Sequence, residues 1–339
     1  MPSPIRRPCS SRRKTWDRKR HRSAHRFNAR ILNTRMIRIL VTIFAGLLGL
    51  AFGSFLNVCL SRWPNDESVV QPRSHCRNCA RTLSWWENIP LVSWLALRGR
   101  CRTCRAPIGW RYPLVELSVG VLWAIPAWRF MNQALDPRLP TALVYYDLAN
   151  TLCTLLLLWL LVALAVLDAE HLWLPNMLTF PGVALGFAYS VLKFVFLVKV
   201  DALTGLPLKS GMENLPFGIW GVVLWTLISI LIAGGLILLI RWVYWLIRRK
   251  EGIGLGDAKL MALLAAWLGL PGTLVAFAIG VLLGTIAALA LLLSPKVSRT
   301  AGAWATTKLP LGTFLCIGGI VSALWGQPIL AAYLRMEGF

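Results

Sequence analysis

Charged residues are scarce in this sequence, and acidic residues are the scarcest of them. Only 15% of the 339 residues are charged, and 14 Asp and Glu stand against 36 Lys and Arg. Hydrophobic residues reach 57%, so the chain has more apolar surface than one soluble core needs. These features exclude an ordinary soluble protein and indicate a polytopic membrane protein.

Two other patterns are missing. No glycine-rich strand–turn–helix that would bind a nucleotide in the ordinary way is visible. No convincing internal repeat relates the two halves of the chain, although such repeats are frequent in transporters.

Eight segments are candidates to cross the bilayer, since a crossing helix needs about 20 apolar residues. The sixth has 13 residues and rises only about 20 Å, so it either begins inside the preceding GIGLG or crosses incompletely. We predict an all-α polytopic membrane protein with about eight transmembrane helices. The segments are 37–60, 113–131, 142–167, 173–198, 217–247, 258–270, 272–293 and 309–334.

Basic residues orient these helices, because Lys and Arg accumulate in short cytoplasmic loops. The loop 61–112 has nine Arg against three acids, and the segments after the fifth and seventh helices are also basic. The loop 199–215 balances two Lys with two acids. We therefore predict that the loop 61–112 lies in the cytoplasm.

Residues 1–35 conflict with this orientation. They hold twelve Lys or Arg and one acid, and the first helix would have to carry them outward. The extension could be an arm for nucleic acid or anionic lipid, a transit peptide, or a mis-assigned start, and we expect it to be disordered if it is made. We favour the last and expect no nucleic-acid partner, because Met36-Ile37-Arg38 followed by an apolar helix looks like a natural start.

The loop 61–112 contains two CxxC knuckles 21 residues apart. Four thiolates can hold a structural Zn²⁺, and a reducing cytoplasm disfavours disulfides. We predict a small cytoplasmic zinc domain with His75 as a neighbour rather than a ligand. The predicted ligands are Cys76, Cys79, Cys101 and Cys104.

Two aspartates stand at predicted helix ends on one membrane face: Asp168 in LDAEHLWLPN and Asp257 in GLGDAKL. Singly, Asp257 could be a helix N-cap and Asp168 a solvated helix end. As a pair in a low-dielectric site they would share a proton, so that one could activate water while the other protonates the substrate.

The order of motifs resembles bacterial type IV prepilin leader peptidases, which are aspartic membrane proteases of the GxGD class. The resemblance runs from about residue 37 to the end. It rests on GSFLNVCLSRWP (53–64), the tetracysteine, the loop segments within 87–117, LDAEHLWLPNMLT (167–179) and GLGDAKL.

This resemblance implies a multi-pass protein of the bacterial inner membrane, with a catalytic pair, Asp168 and Asp257, in a protease bundle formed by 113–339. The pair would remove the short basic leader of prepilins or pseudopilins on the cytoplasmic side. The second aspartate motif also supplies Gly254, Gly256 and Lys259, which we assign to the active-site loop.

The family commonly also methylates the new N-terminal amine with S-adenosylmethionine, an activity associated with the N-terminal half. Gly53, Asn57 and Glu116 fall at matching motif positions. They are candidates for this activity, with helix packing and loop anchoring as an equally good interpretation.

Two details differ from simple expectations. The family usually shows PFGPFL near the C-terminus, whereas this chain has PLGTFL at 310–315. Tyr146-Asp147 mimics the YD motif of presenilin-like GxGD proteases. However, about 20 helical residues, or some 30 Å, separate Asp147 from Asp168, which makes Asp147 a poor partner for Asp257.

The apolar helix of a membrane-inserted prepilin is expected to lie against the bundle and in the lipid bilayer. Its basic leader could contact Glu170 or Glu251, although these acids could equally be solvated. The alternative function is an ion- or proton-coupled transporter with a zinc-stabilised cytoplasmic module, in which the two aspartates relay ions.

Overall fold

The computed structural model describes residues 10–204, 218–249, 254–293 and 309–336, and the described part is helical apart from turns and isolated bridges. Glu251 and part of the GIGLG segment lie outside the described residues. The helices are α1 (Ser10–Arg62), α2 (Val92–Ala96), α3 (Arg111–Ala134), α4 (Thr141–His171), α5 (Asn176–Thr204), α6 (Ile219–Arg248), α7 (Leu255–Leu292) and α8 (Leu311–Met336). Short 3₁₀ helices occupy Trp63–Asn65 and Trp85–Asn88.

Within these ranges, seven helices are long and apolar enough to cross a membrane: α1, α3, α4, α5, α6, α7 and α8. The prediction of an all-α polytopic membrane protein is therefore confirmed. The eight predicted segments fall on these seven elements because the sixth and seventh both lie within α7. Helix α1 begins at Ser10, so the disorder expected for 1–35 is wrong for residues 10–35, which are helical.

Helix α7 reverses direction at Gly269, whose backbone is not helical (φ 66°, ψ 175°). Its first arm, 255–268, runs alongside α8, with Leu264 against Gly319. Its second arm, 270–292, runs back along α8: Ser322 donates a hydrogen bond to Gly272, and Gly280 packs on Leu315. The sixth and seventh predicted segments are thus two antiparallel arms. The first arm begins at Leu255, inside GIGLG. This start is one of the two possibilities that the sequence left open for the sixth segment.

Close backbone packing joins α1 to α3. A Cβ atom on Gly49 would lie 2.9 Å from the Cα of Gly120, and one on Gly53 would lie 2.8 Å from the Cα of Glu116. Larger residues could not be accommodated at this spacing without moving a helix. The two helices are therefore antiparallel neighbours, and α4 packs beside them to bury Leu56, Val119 and Ala163.

A second apolar core lies where α4, α7 and α8 meet. Its centre is fully buried and consists mainly of leucine: Leu161, Leu164, Leu260, Leu264 and Leu315. The side chains in this core fix the relative positions of the end of α4, the start of α7 and the start of α8.

The segment between α1 and α3 folds as a small module at one end of the bundle. Antiparallel bridges pair His75 with Thr82 and Arg100 with Pro107, one in each CxxC knuckle. At the same end, Arg111 at the start of α3 forms an ion pair with Glu170 in the last turn of α4, at 2.6 Å. The module and the end of α4 that carries Asp168 are therefore neighbours.

Candidate active site and metal centre

Asp168 lies in the last turn of α4 and is buried, with 6% of its surface exposed. The helix ends three residues later, at His171. The next residue, Leu172, adopts a left-handed conformation and donates its N–H to the Asp168 carbonyl oxygen. The side chain turns toward the start of α8. There its Oδ2 accepts hydrogen bonds from the Thr313 N–H at 2.6 Å and from the Thr313 hydroxyl at 3.1 Å.

Asp257 lies in the first turn of α7 and is also buried, at 8% exposure. The N-cap of this helix is Gly254, so the interpretation of Asp257 as the N-cap is wrong. Instead, its carboxylate accepts the backbone N–H of Gly254. This bond resembles one half of a capping box, in which an acid at the third helical position reaches back to the N-cap.

The two carboxylates lie close enough for their charges to interact. Asp257 experiences the charge of Asp168, and the fully buried Cys316 of α8 experiences both charges. The apolar core of α4, α7 and α8 brings these residues, 89 positions apart in the sequence, to the same part of the bundle. Two close carboxylates in a site of low dielectric cannot easily both ionise, so they can share one proton.

The other residues assigned to the active-site loop have packing roles. A Cβ atom on Gly256 would lie 3.1 Å from the Leu174 side chain, so the glycine lets α7 approach the connection between α4 and α5. Lys259 donates to Asn176 at 2.7 Å and lies 5.5 Å from the Phe180 ring centre. The side chain of Lys259 therefore contacts α5.

Sequence reasoning missed Gly312 and Thr313, which touch Asp168. A Cβ atom on Gly312 would lie 2.8 Å from the carboxyl carbon of Asp168, so only glycine leaves room for this carboxylate. The signal was present in PLGTFL, where the chain departs from PFGPFL. Proline at position 313 would have neither the N–H nor the hydroxyl that Asp168 accepts.

Glu170 has an ion-pair partner, and the YD motif lies far from Asp168. Glu170 is paired with Arg111 and lies 3.9 Å from His171. Asp147 lies on the same helix as Asp168, some 30 Å before it at 1.5 Å per residue, as expected.

The four knuckle cysteines converge, with all their sulfur atoms within 4.8 Å of one another. The sulfurs of Cys76 and Cys104 are 3.7 Å apart. Four thiolates at Zn–S distances of about 2.3 Å in a tetrahedron would be about 3.8 Å apart, so the donor set fits zinc. A hydrogen bond from the Asn78 side chain lowers the pKa of Cys104 to about 6. The thiolate of Cys104 is thus available at neutral pH, whereas burial and the neighbouring cysteine sulfurs raise the pKa of Cys79 to about 11.

An internal ion pair supports the module. Glu87 is buried and contacts Arg81 at 2.6 Å, and it also caps the Trp85–Asn88 helix through Ser84. The hydrogen bond from Arg81 lowers the pKa of Glu87 below its usual value. The carboxylate is therefore held in its charged form.

The residues considered for methylation join α1, α3 and the module. Gly53 packs against Glu116, Asn57 donates to the Tyr112 carbonyl at 2.9 Å, and Glu116 accepts the Leu91 N–H at 2.8 Å. The Asn57 Oδ1 is buried without a partner among the described residues. These contacts match helix packing and loop anchoring.

A helical membrane bundle with two buried carboxylates in one site defines the class of polytopic membrane proteins that carry an aspartic-protease-like pair. Two family models match this chain: the bacterial peptidase A24 N-terminal domain over residues 47–130, and the type IV leader peptidase family over residues 155–289. The chain belongs to the type IV leader peptidase family.

Curated relatives agree with this assignment. Three are prepilin leader peptidase/N-methyltransferases, from Pseudomonas aeruginosa, Stutzerimonas stutzeri and Aeromonas hydrophila. Their identities to this chain are 34%, 33% and 33%. The matches cover 86%, 85% and 85% of this chain and 93%, 92% and 92% of the relatives. No solved structure gives a significant match. Nothing in the geometry or the comparisons favours the transporter alternative.

Proposed function

We propose that this protein is an aspartic endopeptidase that removes the basic leader of prepilins or pseudopilins, with Asp168 and Asp257 as its catalytic pair. The proposal is supported by the burial of both carboxylates, each less than 9% exposed, beside the core of α4, α7 and α8, where the charge of Asp168 acts on Asp257. The family assignment supports the substrate class.

Hydrolysis needs one proton acceptor and one proton donor. The ionised carboxylate takes a proton from water, and the resulting hydroxide attacks the peptide carbonyl carbon. The protonated carboxyl group supplies a proton to the carbonyl oxygen, which gives a tetrahedral diol intermediate. As the C–N bond breaks, the first carboxyl group gives its proton to the leaving amine nitrogen and the second takes a proton back from a diol hydroxyl, which releases the leader and the new amine. The pair thus begins and ends the reaction with one shared proton.

The site faces the cytoplasm in this proposal. The loop 61–112, with nine Arg against three acids, adjoins the same end of the bundle as Asp168, which supports this orientation. The apolar helix of the prepilin would lie in the bilayer against 113–339, and the leader would meet the cytoplasmic face.

Zinc would be held by Cys76, Cys79, Cys101 and Cys104. A module of about 50 residues is too small to bury an adequate core alone, so the ion would supply structural cross-links. N-methylation of the processed substrate is proposed from the names of the relatives, with no residue assigned to it.

Co-expression with a prepilin in cells that lack such a peptidase tests the proposal. Leader removal is followed by gel shift and the new N-terminus by mass spectrometry, where methylation adds the mass of one methylene group. Asp168→Asn and Asp257→Asn keep size but remove a proton partner, so cleavage should fall by about 10²-fold or more.

Asp147→Asn is the matched control, because this acid lies on α4 far from the pair. It should cleave like the wild type. Wild-type cleavage by either Asp168→Asn or Asp257→Asn would disprove the assignment.

A further inference from the structure

The two carboxylates of the site have different hydrogen-bond donors. Asp168 Oδ2 accepts two, the Thr313 N–H at 2.6 Å and the Thr313 hydroxyl at 3.1 Å. For Asp257, a donor is the backbone N–H of Gly254. A carboxylate that accepts more hydrogen bonds is favoured in its ionised form.

The two donors of Thr313 act differently. Its backbone N–H can only donate, so it favours a negative charge on Asp168. Its hydroxyl also lies 3.1 Å from the Ala165 carbonyl oxygen and has one proton for two acceptors. The hydroxyl can therefore turn to Asp168 when this residue is ionised and to Ala165 when it is protonated.

From these contacts we propose that Thr313 is a positioning residue that fixes Asp168 as the ionised, proton-accepting member of the pair and leaves the shared proton on Asp257. Asp168 then takes the proton of water and Asp257 protonates the substrate, and the pair returns to its starting state when the protons are exchanged back. This inference rests on the proposed peptidase function.

The surroundings of Asp168 include few other groups that titrate. Asp257 faces it from α7 and Cys316 faces it from α8. On α4 itself, Glu170 and His171 follow, and Glu170 is already paired with Arg111. Thr313 is thus the neighbour that supplies neutral donors to this carboxylate from α8.

Three substitutions separate the donors. Thr313→Ser keeps both, Thr313→Val keeps the shape and the N–H but removes the hydroxyl, and Thr313→Pro removes both. Proline is tolerated in the first turn of a helix, where Thr313 lies. The readout is the pH dependence of kcat and KM for leader cleavage by the purified full-length chain in detergent, with a prepilin as substrate.

We expect the acidic limb of the kcat profile to move to higher pH, by about one unit in Thr313→Pro and by less in Thr313→Val. Thr313→Ser should follow the wild type. KM should change little in all three variants, because the lost donors bind Asp168 rather than the substrate.

Superimposable pH profiles for Thr313→Val, Thr313→Ser and the wild type would overturn the inference, even if Thr313→Pro failed to insert. The role of Thr313 and the peptidase function are tested separately. If Asp168→Asn and Asp257→Asn abolish cleavage while the Thr313 profiles are unchanged, only the role of Thr313 fails. If either Asp variant cleaves normally, the proposed function fails, and the role of Thr313 with it.

Discussion

Replacing Gly312 by alanine should slow leader cleavage while leaving the bundle folded. The new Cβ atom would lie 2.8 Å from the carboxyl carbon and Oδ2 of Asp168 and 3.1 Å from its Oδ1. Non-bonded contacts of carbon are normally about 3.5 Å or longer, so the carboxylate must retreat by roughly 0.7 Å. Such a retreat would also stretch its bonds to Thr313.

The magnitude follows from the geometry of catalysis. A displacement of about 1 Å at reacting groups can cost about 10²-fold, so we expect kcat to fall about 10- to 100-fold. The cost in stability should be about 1–3 kcal/mol for overpacking, partly offset by the helix preference of alanine over glycine, about 1 kcal/mol. The protein should therefore still insert and purify.

The assay compares kcat for prepilin cleavage and thermal unfolding in detergent for Gly312→Ala, Gly235→Ala and the wild type. Gly235 is a matched control, since a Cβ atom there meets nothing within 4 Å. It should keep wild-type kcat. An unchanged kcat in Gly312→Ala, in a preparation where Asp168→Asn is inactive, would refute the argument that the carboxylate is confined by Gly312.

Three further changes test other parts of the molecule. Cys101→Ser should reduce bound zinc from about one ion per chain to near zero by elemental analysis and make the module sensitive to protease, and full zinc content would contradict the tetracysteine site. Because Arg81 lowers the pKa of Glu87, their pair should stabilise the module above about pH 4.3 and lose this effect as pH falls through the folded pKa. Glu87→Gln should therefore differ from wild type in protease resistance at pH 7 and converge with it in acid, whereas a constant difference would argue against the pair. Gly269→Ala forces a side chain into a conformation almost restricted to glycine, so it should cost about 1–3 kcal/mol in thermal stability, and a neutral result would count against the reversal of α7.

The parts of the site that could be predicted carry local signals. Spacing alone indicated the four cysteines, and sequence context indicated Asp168 and Asp257. The boundary of the sixth segment was also constrained, because 13 residues are too few to span a bilayer. Pro271-Gly272 marked the turn between the sixth and seventh segments.

The parts of the site that could not be predicted depend on contacts between residues that are distant in sequence. Thr313 meets Asp168 across 145 positions, and no periodicity in either segment encodes that meeting. Likewise, the sequence could place Lys259 beside Asp257 in the chain but not direct its side chain to Asn176. The core between α4, α7 and α8 decides both, and side-chain packing at that core is a property of the assembled bundle.

The reversal at Gly269 has a consequence for backbone hydrogen bonding inside the membrane. The first arm has 14 residues and rises only about 20 Å. An arm that starts near one membrane surface therefore ends, at Gly269, inside the hydrocarbon layer, which is about 30 Å thick. Peptide carbonyls there have no water to bind and must find donors within the protein. Thr273 donates to the carbonyl of Gly269 at 2.7 Å, and Ser322 of α8 donates to that of Gly272 at 2.6 Å. These two buried hydroxyls take the place of water as hydrogen-bond donors, so the carbonyl groups at the bend are satisfied within the hydrocarbon layer.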